Sequence, residues 1–163
     1  MNSKPDLLTV AKLPPFLLEP LQAAFTVHAN ADGAPLERIR AVCGGGESKV
    51  NAALIAQLPA LEIVSIMGVG YDGVDVAACK ARGVVVTHTP DVLNDDVADL
   101  ALALALNIAR RIPQADRYVR DGQWPQAPMP LATKMSGARM GIVGIGRIGQ
   151  AIAQRALAFG MSI

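Results

Sequence analysis

Aromatic side chains are scarce in this chain, at 4% of residues, and it holds only two cysteines, Cys43 and Cys79. Few aromatics argue against an aromatic-rich β-sandwich. Two cysteines without metal or redox spacing argue against a thiolate site and a disulfide scaffold, so a reduced, cytoplasmic protein is expected. Charge is thin as well: charged residues make up 18%, with 15 Lys+Arg against 14 Asp+Glu. Without a basic block, neither nucleic acid nor an anionic membrane surface is the expected partner. The densest apolar stretches, residues 100–106 and 140–146, fall far short of the ~18 residues of a membrane span. Residues 1–5 lack the apolar segment of a secretory leader.

What is present is an apolar chain, 52% hydrophobic over 163 residues. That length lets a domain bury roughly two thirds of the surface its unfolded chain exposes. Alanine is the commonest residue, and a core of Ala, Val, Leu and Ile lets helices lie close on a sheet. Short apolar runs at residues 7–10, 25–28, 39–43, 63–67 and 84–87 read as strands. Between them lie helical patterns: one opened by Pro14 and Pro15 with Phe16, Leu17, Leu18, Leu21 and Phe25 inward, one at 48–58 capped by Ser48, and one at 74–81. Continuous runs, rather than alternation, mark strands buried on both faces, and interleaved helices indicate a doubly wound parallel α/β sheet. Residues 94–111 read as one long helix with Asn94 as N-cap, Asp95, Asp96 and Asp99 at its positive end, and Arg110 and Arg111 at its negative end. Between Leu100 and Ile108 only Asn107 is polar, which predicts burial on more than one side. Leu102, Ala103 and Leu106 lie away from Val97, Leu100, Leu104 and Ile108; the reading puts Leu106 at a subunit interface. Residues 113–136, with Trp124 and a cluster of prolines, read as a connection.

The sharpest motif is near the end. Residues 139–144 read as a strand that runs into Gly144-Ile145-Gly146-Arg147-Ile148-Gly149, and a helix follows. Strand, G-x-G-x-x-G and helix in this order are the context of a dinucleotide fingerprint. The first glycine makes the tight turn, the second lets the backbone approach a pyrophosphate, and the third lets helix and strand pack closely. The helix N-terminus offers unpaired N–H groups to the phosphates. The acidic residue that separates NAD from NADP sits about 20 residues beyond the motif, past Ile163, so the choice between them is open here. A second motif, Gly68-Val69-Gly70-Tyr71-Asp72, ends a parallel strand at the edge where ligands of open α/β sheets bind. Its successive N–H groups suit a carboxylate nest; a plain strand-to-helix turn explains the glycines equally well. Gly44-Gly45-Gly46 ends another strand at the same edge. Asp72, Asp75, Asp95 and Asp96 read as helix caps rather than acid/base pairs, and neither His28 nor His88 stands out as an acid.

Together, these stretches resemble the D-isomer-specific 2-hydroxyacid dehydrogenase family. The resemblance runs through Gly68-Val69-Gly70-Tyr71-Asp72-Gly73-Val74-Asp75, the segment 81–101, Arg120-Asp121-Gly122-Gln123-Trp124 and Gly141 to Gly149. Within the family the chain is most similar to glyoxylate/hydroxypyruvate and hydroxyphenylpyruvate reductases. The resemblance implies a flavodoxin-like substrate lobe, residues 1–94, followed at 95–163 by the connecting helix and the first βα unit of a Rossmann domain. It implies a small 2-oxo acid on the Gly68, Val69 and Gly70 turn. It implies NAD or NADP, with NADPH favoured, on Gly144, Ile145, Gly146, Arg147, Ile148 and Gly149, with Asn94 near the nicotinamide. It also implies a homodimer. The family's Arg, Glu and acid/base His follow the fingerprint, so no catalytic residue is expected among these 163. The same fold also serves dinucleotide-sensing corepressors, a class without catalysis.

Overall fold

The computed structural model describes residues 4–163. Part of the stretch read for a leader, residues 1–3, lies outside them. The chain divides into two compact units, residues 1–92 and 93–163.

The first unit is built on five parallel strands: β1 (Asp6–Thr9), β2 (Thr26–His28), β3 (Ile39–Gly45), β4 (Ile63–Met67) and β5 (Val85–Thr87), in the order β2-β1-β3-β4-β5. Register explains why both faces are apolar. Leu8, Val42, Val64 and Val86 stand opposite one another across four strands and face one core, while Leu7, Ala41 and Ile63 form the neighbouring row and face the other. The period of two along each strand sends successive side chains to opposite sides. Helix α1 (Pro15–Ala24) covers the Leu7 side through Leu17, Leu18 and Leu21; Phe16, expected inward, is exposed. Ile55 from α2 (Ala52–Ala56) and Cys79 from α3 (Val76–Ala81) are buried in the Leu8 core. The doubly wound parallel sheet expected from the sequence is therefore present.

Helix α2 is shorter than expected, and Asn51 caps it: its side-chain oxygen accepts from Leu54 N–H at 2.9 Å. Ser48 is instead buried, its hydroxyl accepting from Gly45 N–H at 2.9 Å, which closes the turn after β3 and leaves it no reach to a helix end. Asp75 caps α3 as expected, accepting from Ala78 N–H at 2.9 Å. Arg82 closes the other end of the helix pair by donating to the carbonyls of Leu58 at 2.8 Å and Pro59 at 3.1 Å, and to that of Ile55. A cation on the carbonyl of Ile55 in the last turn of α2, and on those of Leu58 and Pro59 just beyond it, satisfies groups that the helix itself leaves unpaired.

Asp6 is 4% exposed. It accepts from His28 Nε2 at 2.7 Å and from Arg38 Nη2 at 2.8 Å. The hydrogen bond from His28 is the main cause that holds its carboxyl below the usual carboxylate range; burial opposes it and Arg38 adds to it. A group whose folded pKa is depressed stabilises the fold above its unfolded pKa, about 3.9 for Asp, and that stabilisation fades as pH falls through the folded value. The urea midpoint of the wild-type chain should therefore drop on acidification below about pH 4. In Asp6→Asn this acid limb should flatten, with a lower midpoint at neutral pH; parallel pH profiles for the two proteins would reject this role.

The second unit holds α4 (Asn94–Arg110), α5 (Ile112–Arg120) and α6 (Arg147–Ala158). Four of its features correct the sequence expectations. Asn94 is the first residue of α4 rather than its cap. Residues 112–120, read as connection, form α5: Pro113 starts it where a missing N–H costs little, and Asp116 pairs with Arg120 at 3.0 Å. The expected strand at 139–144 is reduced to one parallel bridge, Arg139 with Ser162, where Met140 N–H donates to Ser162 at 2.8 Å. Leu106 packs with Leu102, Met135, Ala156, Met161 and Ile152 in the core of this unit, whereas Leu100, Leu104 and Ile108 are exposed. The two faces of α4 are thus assigned the other way round from the sequence reading. Arg155 of α6 binds Asp95 at 3.0 Å and also Asp99, one turn apart on α4. This clamp joins α4 to α6 beside the apolar contact of Leu102 with Ala156. Among the described residues no helix is long and apolar enough to cross a membrane.

Candidate functional site

The strand order reverses direction of winding between β1 and β3, and ligands of such sheets bind outside the strand C-termini at that point. A cleft of about 310 Å³ lies there, lined by Val10 and Ala11 after β1 and by Gly45, Gly46, Glu47 and Ser48 after β3. The Gly68–Gly70 turn follows β4, the next strand. A Cβ at Gly68 would lie 3.2 Å from the Gly46 backbone, so the two glycine turns press together. This close approach unites two motifs the sequence could place only at the same edge.

The turn is stitched in place from both sides. Val50 N–H donates to Gly73 at 2.8 Å, and Asp75 N–H donates to Val50 at 2.9 Å, forming the parallel bridge of Val50 with Val74. A Cβ at Gly73 would come within 2.1 Å of the Ser48 carbonyl oxygen. On the other side Thr89 N–H donates to the Gly68 carbonyl at 2.9 Å, and His88 Nδ1 meets the Val69 carbonyl at 3.0 Å. Tyr71 tilts onto the His88 ring, with centroids 4.7 Å apart. At Gly70, by contrast, a Cβ would meet only Asp72 Oδ2 at 3.6 Å. That is an ordinary contact with a side chain, and no backbone atom crowds Gly70 from that direction.

The fingerprint turn lies in the second unit. Gly144 has φ +93°, a left-handed conformation that favours glycine, and a Cβ at Gly149 would lie 2.2 Å from the Gly144 carbonyl oxygen. Added Cβ atoms at Gly144 and Gly146 would meet nothing within 4 Å, which leaves room for a ligand to approach the backbone. Gly146 is the N-cap of α6 and supplies no side-chain cap. Turn conformation and close packing of the helix N-terminus on the turn fit a dinucleotide pyrophosphate. Ile145 is exposed on this turn.

Other candidates drop out. Burial pushes the thiols of Cys43 and Cys79 up, which keeps them protonated and unreactive. Among the described residues no group of three His, Cys, Asp or Glu side chains gathers to hold a metal. His28 belongs to the Asp6 cluster. His88 and Tyr71 at the glycine turn are what the sequence reading missed; the only signal was His88 directly after a strand.

A parallel sheet carrying paired glycine turns at its C-terminal edge is followed in the chain by a glycine-rich turn and a helix. Residues 11–159 match the family described as D-isomer specific 2-hydroxyacid dehydrogenase, catalytic domain, and the chain belongs to it. It is 54% identical over 125 residues to a glyoxylate/hydroxypyruvate reductase A of Arabidopsis thaliana, covering 77% of this chain and 40% of that protein. Among solved structures it is similar to a 2-hydroxyacid dehydrogenase from Ketogulonicigenium vulgare Y25, with TM-score 0.85 and 43% identity over 98% of this chain and 53% of that one. It is also similar to an NADPH-dependent glyoxylate/hydroxypyruvate reductase from Sinorhizobium meliloti in complex with NADP and malonate, with TM-score 0.76 and 39% identity, covering 99% of this chain and 52% of that one. The chain thus spans about half the length of the relatives it matches.

Proposed function

We propose that this chain supplies the substrate lobe and the start of the cofactor domain of an NAD(P)H-dependent reductase that converts a small 2-oxo acid, of the glyoxylate or hydroxypyruvate type, to the D-2-hydroxy acid. The observation that carries this reading is the Gly68–Gly70 turn, held by bonds to its carbonyls while, among the described residues, the N–H groups of Val69 and Gly70 have no protein partner. The backbone N–H groups of Val69 and Gly70 bind the substrate carboxylate, a charge-assisted contact that needs no cationic side chain. Gly144, Ile145, Gly146, Arg147, Ile148 and Gly149 hold the pyrophosphate, and Asn94 serves the nicotinamide end. When bound, the nicotinamide supplies the hydride that reduces the 2-oxo carbon. NADPH is the favoured form, in line with the NADP held by the Sinorhizobium meliloti relative. Val97, Leu100, Leu104 and Ile108 on the exposed face of α4 meet a second copy of the protein.

None of the 163 residues is assigned as the acid that delivers the proton, and the chain by itself is expected to be inactive. Purified chain mixed with NADPH and glyoxylate or hydroxypyruvate should show no oxidation by cofactor absorbance, while a longer protein carrying the rest of the family's length should turn over. General acid catalysis alone contributes typically ~10²–10⁴-fold. Turnover by the 163 residues at a rate comparable to a full-length relative would reject the division of labour proposed here. A longer protein inert toward every 2-oxo acid tried would reject the reductase assignment.

A further inference from the structure

His88 is absorbed by neither the core nor the motifs above. Its Nδ1 lies 3.0 Å from the Val69 carbonyl oxygen. That oxygen can only accept, so Nδ1 carries the proton. The neighbouring carbonyl, Gly68, is held by Thr89 N–H at 2.9 Å. Two consecutive carbonyls of the turn are therefore pulled toward one segment, residues 88–89, just beyond β5.

The peptide plane converts this into a statement about the N–H groups. The structure contains no cis peptide bond. In a trans peptide the C=O of one residue and the N–H of the next point in opposite directions. With the Gly68 carbonyl turned to Thr89, Val69 N–H points away from it. With the Val69 carbonyl turned to His88, Gly70 N–H points away as well. Among the described residues neither N–H has a protein partner. The backbone of Thr89 orients the first group whatever its side chain, but the second depends on a side chain, that of His88. Tyr71 against the imidazole limits the ring's rotation.

We propose that His88 is a positioning residue for 2-oxo acid binding: by donating from Nδ1 to the Val69 carbonyl it fixes the 69–70 peptide so that Gly70 N–H faces the substrate carboxylate. This rests on the carboxylate reading of the Gly68–Gly70 turn. His88 touches neither substrate nor reacting atoms in this role. A free 69–70 peptide samples other orientations, and a carboxylate must then bear the entropic cost of ordering it.

The test uses oxalate, a carboxylate probe that is not turned over, titrated into the ¹⁵N-labelled chain. In the wild type, the Val69 and Gly70 amide signals should shift with oxalate, and the His88 ring should show the proton on Nδ1. Two variants separate the hydrogen bond from packing, since Asn and Leu have the same branched shape and Asn can place an N–H where Nδ1 stood. His88→Leu should weaken oxalate about tenfold, the effect of one lost charge-directed hydrogen bond, with an unchanged melting curve. His88→Asn should stay within about twofold of the wild type. Affinity for NADPH should be the same in all three. Wild-type binding through these amides with equal loss in both variants, or with no loss in His88→Leu, overturns the positioning role and leaves the carboxylate reading standing. Absence of any oxalate shift at Val69 and Gly70 in the wild type overturns the carboxylate reading and the positioning role together.

Discussion

Replacing Gly149 with valine should weaken NADPH binding by about 5- to 150-fold, the largest loss expected from any single change at the fingerprint. A Cβ there would sit 2.2 Å from the Gly144 carbonyl oxygen and 3.2 Å from its carbonyl carbon. Neither neighbour is a flexible side chain. Gly144 is held at φ +93°, and α6 is tied to α4 through Arg155. Helix and turn must part, which moves the backbone N–H groups off the pyrophosphate. Overpacking of this kind costs typically ~1–3 kcal/mol, and each ~1.4 kcal/mol is tenfold in affinity. Fluorescence titration with NADPH measures the loss. Gly146→Ala is the companion variant: its Cβ meets no protein atom within 4 Å, so the melting temperature should hold while NADPH binding falls. Binding by Gly149→Val within threefold of the wild type would show that the 144–149 turn does not hold the cofactor.

Truncating Leu102 to alanine should destabilise the second unit by about 2–5 kcal/mol, the usual cost of a cavity at a buried leucine. Leu102 is 4% exposed and sits with Met135, Ala156 and Met161. Such a loss is a large part of the ~5–15 kcal/mol that holds a domain together. Urea unfolding read from the second unit should show it as a lower midpoint. Leu104, on the other face of the same helix, is 53% exposed. Leu104→Asp should therefore leave the urea midpoint nearly unchanged and, if that face meets a second copy, convert dimers to monomers in sedimentation. A Leu104→Asp variant that sediments as an intact dimer would clear this face of any part in assembly.

The contrast between Leu102 and Leu104 shows where sequence reasoning stops. Periodicity separates two apolar faces of α4 but does not say which one is inside, because both are Leu and Ala. Only the tertiary contacts settle it: Leu102 packs with Met135, Ala156 and Met161, and Arg155, sixty residues away from Asp95, binds Asp95 and Asp99 one turn apart on the same helix. Ser48 and Asn51 are a similar case. Both are competent caps, and only the close turn after β3, which turns the Ser48 hydroxyl toward Gly45 N–H, leaves Asn51 to cap α2.

Local chemistry was enough for the five strands of the first unit, because runs such as Ile63–Met67 are apolar on both faces and only a sheet covered on both sides can bury them. It was enough for the fingerprint turn as well, since a positive φ at Gly144 and the contact at Gly149 are demands that glycine alone meets. The strand at 139–144 was legible as a pattern and yet does not form as one, because a strand is a property of its neighbours: a single bridge to Ser162 cannot sustain a ladder. The sequence placed the two glycine turns at one edge and His88 after a strand, but the Asp6–His28–Arg38 cluster, the seating of Gly68 on Gly46 and the bond from His88 to Val69 were not legible in it. Each joins residues far apart in the chain that the strand order β2-β1-β3-β4-β5 brings together, and periodicity within a strand does not specify its neighbours.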